Sequence, residues 1–282
     1  YRLYCKIKLF VNFMSIIHNY CITSKYHQYL NDLKIEIIIS GAENKDIKEY
    51  PINWLRDNDG INISKKNKHF GTLTSHYWLW KNKINSFQDN DYIGINHYRR
   101  FWIKRNNKDE INLNNLSDNI LRNTPDDIDF DVLLPQKIFL KDLKLSKLIK
   151  KGFKNYIKNP LILFKREKYN IKTHFDLFHG YDLITKASEL LNDNDKEDFK
   201  KYINIENSFY PLQIFVVKKK FLSKLYKYTF NWIFECEKIF SNIKLIGYGK
   251  ERLYDFLAER YFSFYFEKYT KIKTWPFIVI KD

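Results

Sequence analysis

The sequence predicts an α/β fold: a mostly parallel sheet covered by helices, with a helical C-terminal part. Three observations carry that reading. Short β-branched runs alternate with stretches of helical periodicity through the first half of the 282-residue chain, as in strands joined by crossover helices. Apolar stripes at helical spacing dominate the second half. No internal repeat and no Gly-, Pro- or Ser-rich linker divides the chain, which holds only 8 Gly and 6 Pro. One domain over residues 1–282 is therefore expected, with an α/β portion at 1–135 and a helical portion at 136–282.

In chain order, Lys6 to Phe13 reads as a buried strand, a polar stretch runs from Thr23 to Asp32, and Ile35 to Ile39 is a second β-branched run ending at Ser40-Gly41. Leu73, Tyr77, Trp80 and Ile84 then recur at helical spacing, with Thr72 placed to cap the helix. Tyr92 to Asn96 is an apolar strand running into His97-Tyr98-Arg99-Arg100, and Asp131 to Pro135 is another, closed by a proline that cannot continue a central ladder. Leu145, Leu148, Ile149, Phe153, Tyr156 and Ile157 form one stripe of a basic amphipathic helix that ends at Asn159-Pro160. Leu222 to Phe234 and Leu253 to Phe264 supply two more striped helices, the latter following a break at Gly247 and Gly249.

Composition excludes several classes. With 44% hydrophobic and 18% aromatic residues the chain is not disordered. Its longest apolar runs, such as Ile35 to Ile39 and Phe209 to Val217, fall short of the roughly 18 to 20 residues of a spanning helix. The 3 cysteines, Cys5, Cys21 and Cys236, show no CxxC spacing, so neither a zinc site nor a disulfide framework is expected and a reducing compartment fits. No signal peptide is read near Tyr1. The formal charge is +16; a bias towards Lys, Ile, Asn and Tyr codons accounts for part of it, but its placement carries information. Residues 136–168 hold eleven Lys or Arg against two acidic residues, which suits a local anionic partner.

Two polar clusters stand out. Residues Asp57 to Asn67 are rich in Asp, Asn, Gly and Lys, and a solvated turn is the plain alternative to a site. His97-Tyr98-Arg99-Arg100 sits where an apolar strand ends, and ligands of open α/β sheets collect beyond the carboxyl ends of strands. Arginine presents a fork of donors matched to phosphate oxygens, so a diphosphate is a suitable guest; a strand end paired to nearby carboxylates is the other reading. Arg260 shares an apolar stripe with Phe256 and Phe264 and requires a ligand or an internal ion pair if buried there.

Several blocks together resemble a known family. Asp59-Gly60-Ile61-Asn62-Ile63-Ser64, Lys66-Asn67, Leu73-Thr74, Tyr77-Trp78-Leu79-Trp80-Lys81-Asn82, Tyr92-Ile93-Gly94 and His97-Tyr98-Arg99-Arg100-Phe101 are similar in order and spacing to signature blocks of bacterial capsular and exopolysaccharide glycosyltransferases. That family is catalogued as a domain of unknown function and resembles β-galactofuranosyltransferases of GT-A-type fold. Looser likeness extends over Asp131 to Pro135, over His174, His179 and Asp182, and over Phe256-Leu257-Ala258-Glu259-Arg260. The chain departs from the family pattern at Asn12-Phe13 and at Gln213.

The resemblance implies a transferase that takes a sugar, galactofuranose among the choices, from a nucleotide sugar, with UDP the leading nucleotide. The acceptor would be a lipid-linked or polysaccharide glycan. Residues 1–135 would bind the donor and 136–282 the acceptor. Donor binding falls to Asp57, Asp59, Asn62, Lys81, Asn82, His97, Tyr98, Arg99 and Arg100. His179, Asp182 and Arg260 become the catalytic set, with Asp182 as base and Asp176 or Glu259 as alternatives. No metal ligand is assigned and no cofactor is expected: the strand at Tyr92 leads into arginines where many such enzymes carry Asp-x-Asp, although Mn²⁺ or Mg²⁺ is an alternative to charge stabilisation by Arg99, Arg100 and Lys81. A cytoplasmic protein docked on an anionic membrane through Lys144 to Lys158 is the expected setting. Two other classes compete: a single-strand nucleic-acid binder, which the basic, aromatic-rich composition permits, and a non-catalytic member of the capsule machinery.

Overall fold

Hydropathy alone does not announce the first strand of the sheet. Ile17–Thr23 (β1) interleaves His18, Asn19 and Thr23 with apolar residues, yet all but His18 are buried. The chain is seen in a computed structural model that describes residues 15–104, 110–125, 129–142 and 169–280; the strand expected at Lys6 to Phe13 and the basic helix at 145–157 lie outside them. Asn19 is tolerated in a central strand because its polar atoms are satisfied. Its Nδ2 donates to the Leu121 carbonyl at 2.9 Å and its Oδ1 accepts from Asn96 Nδ2 at 3.0 Å.

The remaining strands are Glu36–Ile39 (β2), Leu55–Arg56 (β3), Tyr92–His97 (β4), Arg100–Trp102 (β5), Val132–Leu134 (β6), Ile138–Phe139 (β7), Ser208–Phe209 (β8), Phe215–Lys218 (β9), Ile272–Thr274 (β10) and Phe277–Val279 (β11). Helices longer than one turn are Leu73–Asn82 (α1), Ile171–Phe178 (α2), Leu183–Ser188 (α3), Asp193–Ile205 (α4), Lys219–Phe240 (α5) and Leu253–Tyr269 (α6). The large sheet has the order β10-β6-β9-β4-β1-β2-β3, with β5 and β11 branching from β4. β3, β2, β1 and β4 are parallel to one another. β9 is antiparallel to both β4 and β6, and β10 is parallel to β6. The expected mostly parallel, helix-covered sheet is thus observed, with β9 reversed inside it and β5 reversed on the branch.

Alternation along the strands sorts residues to the two faces. Ile93, Ile95, Phe215 and Val217 join Leu79 of α1, Phe230 of α5 and Phe262 of α6 in the main core. Cys21, Ile37, Ile39 and Phe101 share a second core with Leu30, Leu116 and Ile120 on the opposite face. Cys21 and Cys236 are buried and unbridged. Among the described residues no helix is long and apolar enough to cross a membrane.

Candidate functional site

The parallel register brings the ends of three strands level: Ile22 lies beside both Ile38 and His97. Beyond this edge opens a cavity of about 530 Å³, the size of a small-ligand site. Its floor is the strand edge, with Ile22, Ser24, Ser40 and His97; one wall is the turn after β4, and the other is the start of α6. Residues before 101 and after 211 therefore share it.

On the first wall, Tyr98 and Arg99 form the turn that reverses β4 into β5, closed by the pairing of His97 with Arg100. His27 stacks on the Tyr98 ring at 4.8 Å, Tyr29 Oη donates to the Tyr98 carbonyl, and the Arg99 guanidinium lies 5.1 Å from the Tyr98 ring. Tyr98, Arg99 and Arg100 all line the cavity. His97 is held neutral, its pKa well below the usual range through burial first and then through nearby His76, Arg100 and Arg252.

The opposite wall carries carboxylates one helical turn apart, Asp255 and Glu259. Arg252 Nη2 donates to Asp255 Oδ2 at 2.5 Å, and Thr72 Oγ1 to Asp255 Oδ1 at 3.1 Å. Thr72 was expected to cap α1; its hydroxyl is turned to this carboxylate instead and makes no cap bond. Gly71, with φ of 52°, stands where any Cβ would strike the Arg252–Asp255 pair. Burial raises the Asp255 pKa, against the pull of Arg252. Glu259 accepts the Leu212 N–H at 2.8 Å and pairs with Arg260.

Of the nine residues assigned to the donor, four meet at the cavity and five lie elsewhere. Asp57 is fully buried, and its carboxylate takes the Gly41 and Ala42 amides at 2.7 and 2.9 Å and the Ser64 hydroxyl at 2.6 Å. It fixes the turn after β2. Asn82 ties the 57–64 loop to α1, accepting from Ile61 N and donating to the Ile61 and Trp78 carbonyls. Asp59 receives Trp78 Nε1 on its carbonyl, and Asn62 bonds back to Asn58 and Gly60. Lys81 covers the Trp80 ring at 3.6 Å. These motif residues latch a loop to a helix, so their side chains do not reach the cavity.

The expected catalytic set is also displaced. Asp182 takes a left-handed conformation ahead of α3, with its N–H on Asp176 Oδ1, and does not line the cavity. Asp176 is held by Lys172 at 2.6 Å. Arg260 is 2% exposed and takes the internal ion pair with Glu259, under the Phe209 ring at 4.0 Å. His179 bonds the Gly249 carbonyl through Nδ1 and stacks on Phe256 at 3.9 Å, so it shapes the wall from behind. Asp255 and Arg252 were missed. The spacing of Asp255 and Glu259 on one helix face was the signal that could have found the first.

Asp-x-Asp triplets also occur at Asp89/Asp91, Asp129/Asp131 and Asp193/Asp195, and their carboxylates bind partners within the fold: Asp89 with Lys219, Asp129 with Lys271, Asp131 with Lys218, and Asp195 with Tyr261 and Tyr269. Among the described residues no group of three or more His, Cys, Asp or Glu side chains is placed to hold a metal.

Comparison with known proteins bears on the family directly. The family model described as a domain of unknown function, DUF4422, matches residues 18–271. The chain belongs to the DUF4422 family. This is the family that the signature blocks resembled. The fold is similar to that of the bifunctional glycosyltransferase WbbM in its apo structure, with a TM-score of 0.68 and 20% identity over 95% of this chain. The chain spans 46% of the WbbM chain. No curated protein matches it.

Proposed function

We propose that this DUF4422 chain is a glycosyltransferase that moves a sugar from a nucleotide sugar, UDP-linked in the first instance, to a hydroxyl of a growing glycan. The observation that carries the reading is the division of one cavity into a cationic wall, Arg99 and Arg100, and a carboxylate wall, Asp255 and Glu259. It lies at the carboxyl edge of parallel strands, where a GT-A enzyme holds its donor. The likeness to WbbM supports the fold this requires. Among the described residues most aromatics are packed in the core, which leaves few for the base stacking that single-strand binding uses.

In this reading Arg99 and Arg100 bind the diphosphate and stabilise its charge as it leaves. The acceptor oxygen attacks the anomeric carbon from the far side, the bond from that carbon to the diphosphate oxygen breaks with its electron pair going to the phosphate, and Glu259 takes the hydroxyl proton. Asp255 is the poorer base, since three side chains, Arg252, Thr72 and Gln213, hold its carboxylate, against the Leu212 N–H and Arg260 on Glu259. The donor is proposed to bind without a divalent ion, the arginines meeting the diphosphate charge themselves. Galactofuranose as the sugar, and a lipid-linked or capsular glycan as the acceptor, follow from the resemblance. The proposed membrane-docking helix lies outside the described residues.

Calorimetric titration with UDP in EDTA tests the cationic wall. Arg99→Ala and Arg100→Ala should each weaken transfer by about 2 to 4 kcal/mol, as on loss of a charge-stabilising donor, and should weaken UDP binding with it. Wild-type affinity and rate in both variants would remove the assignment, and UDP binding that appears only on adding Mn²⁺ or Mg²⁺ would reject the metal-free site. Glu259→Gln should keep UDP binding and lose transfer by about a hundredfold or more. Full activity in that variant would return the base to Asp255 or Asp182.

A further inference from the structure

The sheet register brings together two polar side chains that the mechanism above leaves unused. β4 and β9 are antiparallel, with Ile93 opposite Val217 and Ile95 opposite Phe215. His97 lies two residues beyond Ile95 and Gln213 two residues before Phe215, in the turn that leads into β9, so both stand at the same end of the strand pair, and both line the cavity. Each carries a solvent-shielded atom with no hydrogen-bond partner among the described residues, Oε1 of Gln213 and Nε2 of His97. Such atoms are rare in native interiors, and each calls for an explanation.

The Gln213 amide is fixed in direction. Its Nε2 donates to the Asp255 carbonyl at 2.8 Å and to Asp255 Oδ1 at 3.3 Å; turning the amide over would set oxygen against two acceptors. Oε1 is therefore left without a partner, on a cavity-lining residue only 7% exposed. The backbone beneath is strained: Leu212 and Gln213 have φ of 80° and 51°, the left-handed region that non-glycine residues rarely enter. The Leu212 N–H on Glu259 and the Gln213 amide on Asp255 hold that turn against α6. Strain at a cavity rim, maintained by dedicated side-chain bonds, is a feature of ligand-binding positions.

The chemistry of the pair selects its guest. An amide oxygen repels an anion, and the neutral imidazole of His97 offers no charge to one. A hydroxyl suits both, because it donates to the amide oxygen and meets the imidazole nitrogen as donor or acceptor. We propose that Gln213 and His97 together hold a hydroxyl of the donor's sugar, apart from the diphosphate on Arg99 and Arg100, and so discriminate among sugars. The inference rests on the glycosyltransferase reading.

Calorimetric titration of the full chain with UDP, UDP-glucose, UDP-galactose, UDP-galactofuranose and UDP-N-acetylglucosamine tests it, in the wild type, Gln213→Leu and His97→Phe. Both substitutions keep an apolar body and remove the polar atom. Affinity for the tightest-binding sugar nucleotide, divided by affinity for UDP, should fall about tenfold in each variant, the scale of one lost hydrogen bond. An unchanged ratio in both variants overturns the proposal and leaves the transferase reading intact. Parallel loss of UDP and sugar-nucleotide binding in both also overturns it, since the residues then serve the nucleotide or the fold. A wild type that binds neither UDP nor any of the sugar nucleotides removes the transferase reading itself.

Discussion

Three histidines packed into this structure are held neutral, and that couples stability to pH. Burial pushes His76 down to about 3; it sits fully enclosed with Nδ1 2.8 Å from Tyr226 Oη and the rings of Phe215 and Phe262 around it. His97 and His174 are lowered well below the usual range, by burial first in each case. In the unfolded chain these groups take a proton below about 6.5, whereas in the folded chain they resist it. The unfolded state then binds more protons, so their stabilising contribution is complete above pH 6.5 and is lost as pH falls. Each histidine should lower the unfolding free energy by up to about 1.4 kcal/mol per pH unit in that range. Urea melts at pH 7.0, 6.0 and 5.0 should show this, and His76→Phe should reduce the slope by about one proton. An identical slope in wild type and variant would mean that His76 titrates normally. The carboxyls Asp176 and Asp255, raised by burial, act in the opposite sense, because they hold a proton in the folded chain above the usual carboxylate range.

At the scale of elements, what could be read from the sequence depended on whether an element's pattern had a local cause. α1, α5 and α6 were legible because each buries a continuous apolar stripe. β2, β4 and β6 were legible as β-branched or apolar runs. β1 was not, since its Asn19 is satisfied by Asn96 and Leu121, partners 77 and 102 residues away. β9, β10 and β11 were missed for the same reason: each is only three or four residues long, and its place in the sheet is decided by distant partners. The site divides similarly. His97 to Arg100 could be placed because a strand end is a local feature, and the cavity is found there. The 57–64 and 78–82 blocks are equally distinctive, but Gly60, at φ of 58°, leaves room for Asn82 where a Cβ would collide. A conspicuous motif there records a loop latched to a helix. Asp255 and Gln213 face each other across 42 residues, a pairing only the folded chain reveals.

The whole molecule holds its cavity together by returning the C-terminal part of the chain to the sheet. β9 enters between β4 and β6, β10 pairs with β6 and β11 with β5, so the α6 wall is anchored on both sides to the strands it faces. Trp275, in the turn between β10 and β11, lies in a further, smaller core with Trp102, Leu133 and Val216; its N–H bonds the Leu134 carbonyl at 3.0 Å and its indole the Ile103 carbonyl at 2.9 Å. Removing that side chain opens a void beneath two strand ends and leaves the Ile103 carbonyl without its indole donor. Trp275→Ala should therefore cost about 3 to 5 kcal/mol, a large part of the roughly 5 to 15 kcal/mol that holds a domain folded. Removing residues 271–282 should do more, because it bares the β6 and β5 edges together with Trp102, which is 0% exposed, and open apolar edges pair with other chains. The shortened chain is expected in the insoluble fraction, and Trp275→Ala is expected to be soluble with a lowered midpoint in urea. A shortened chain that stays soluble and melts like the wild type would show that β9 and the helices hold the cavity walls in place without the last two strands.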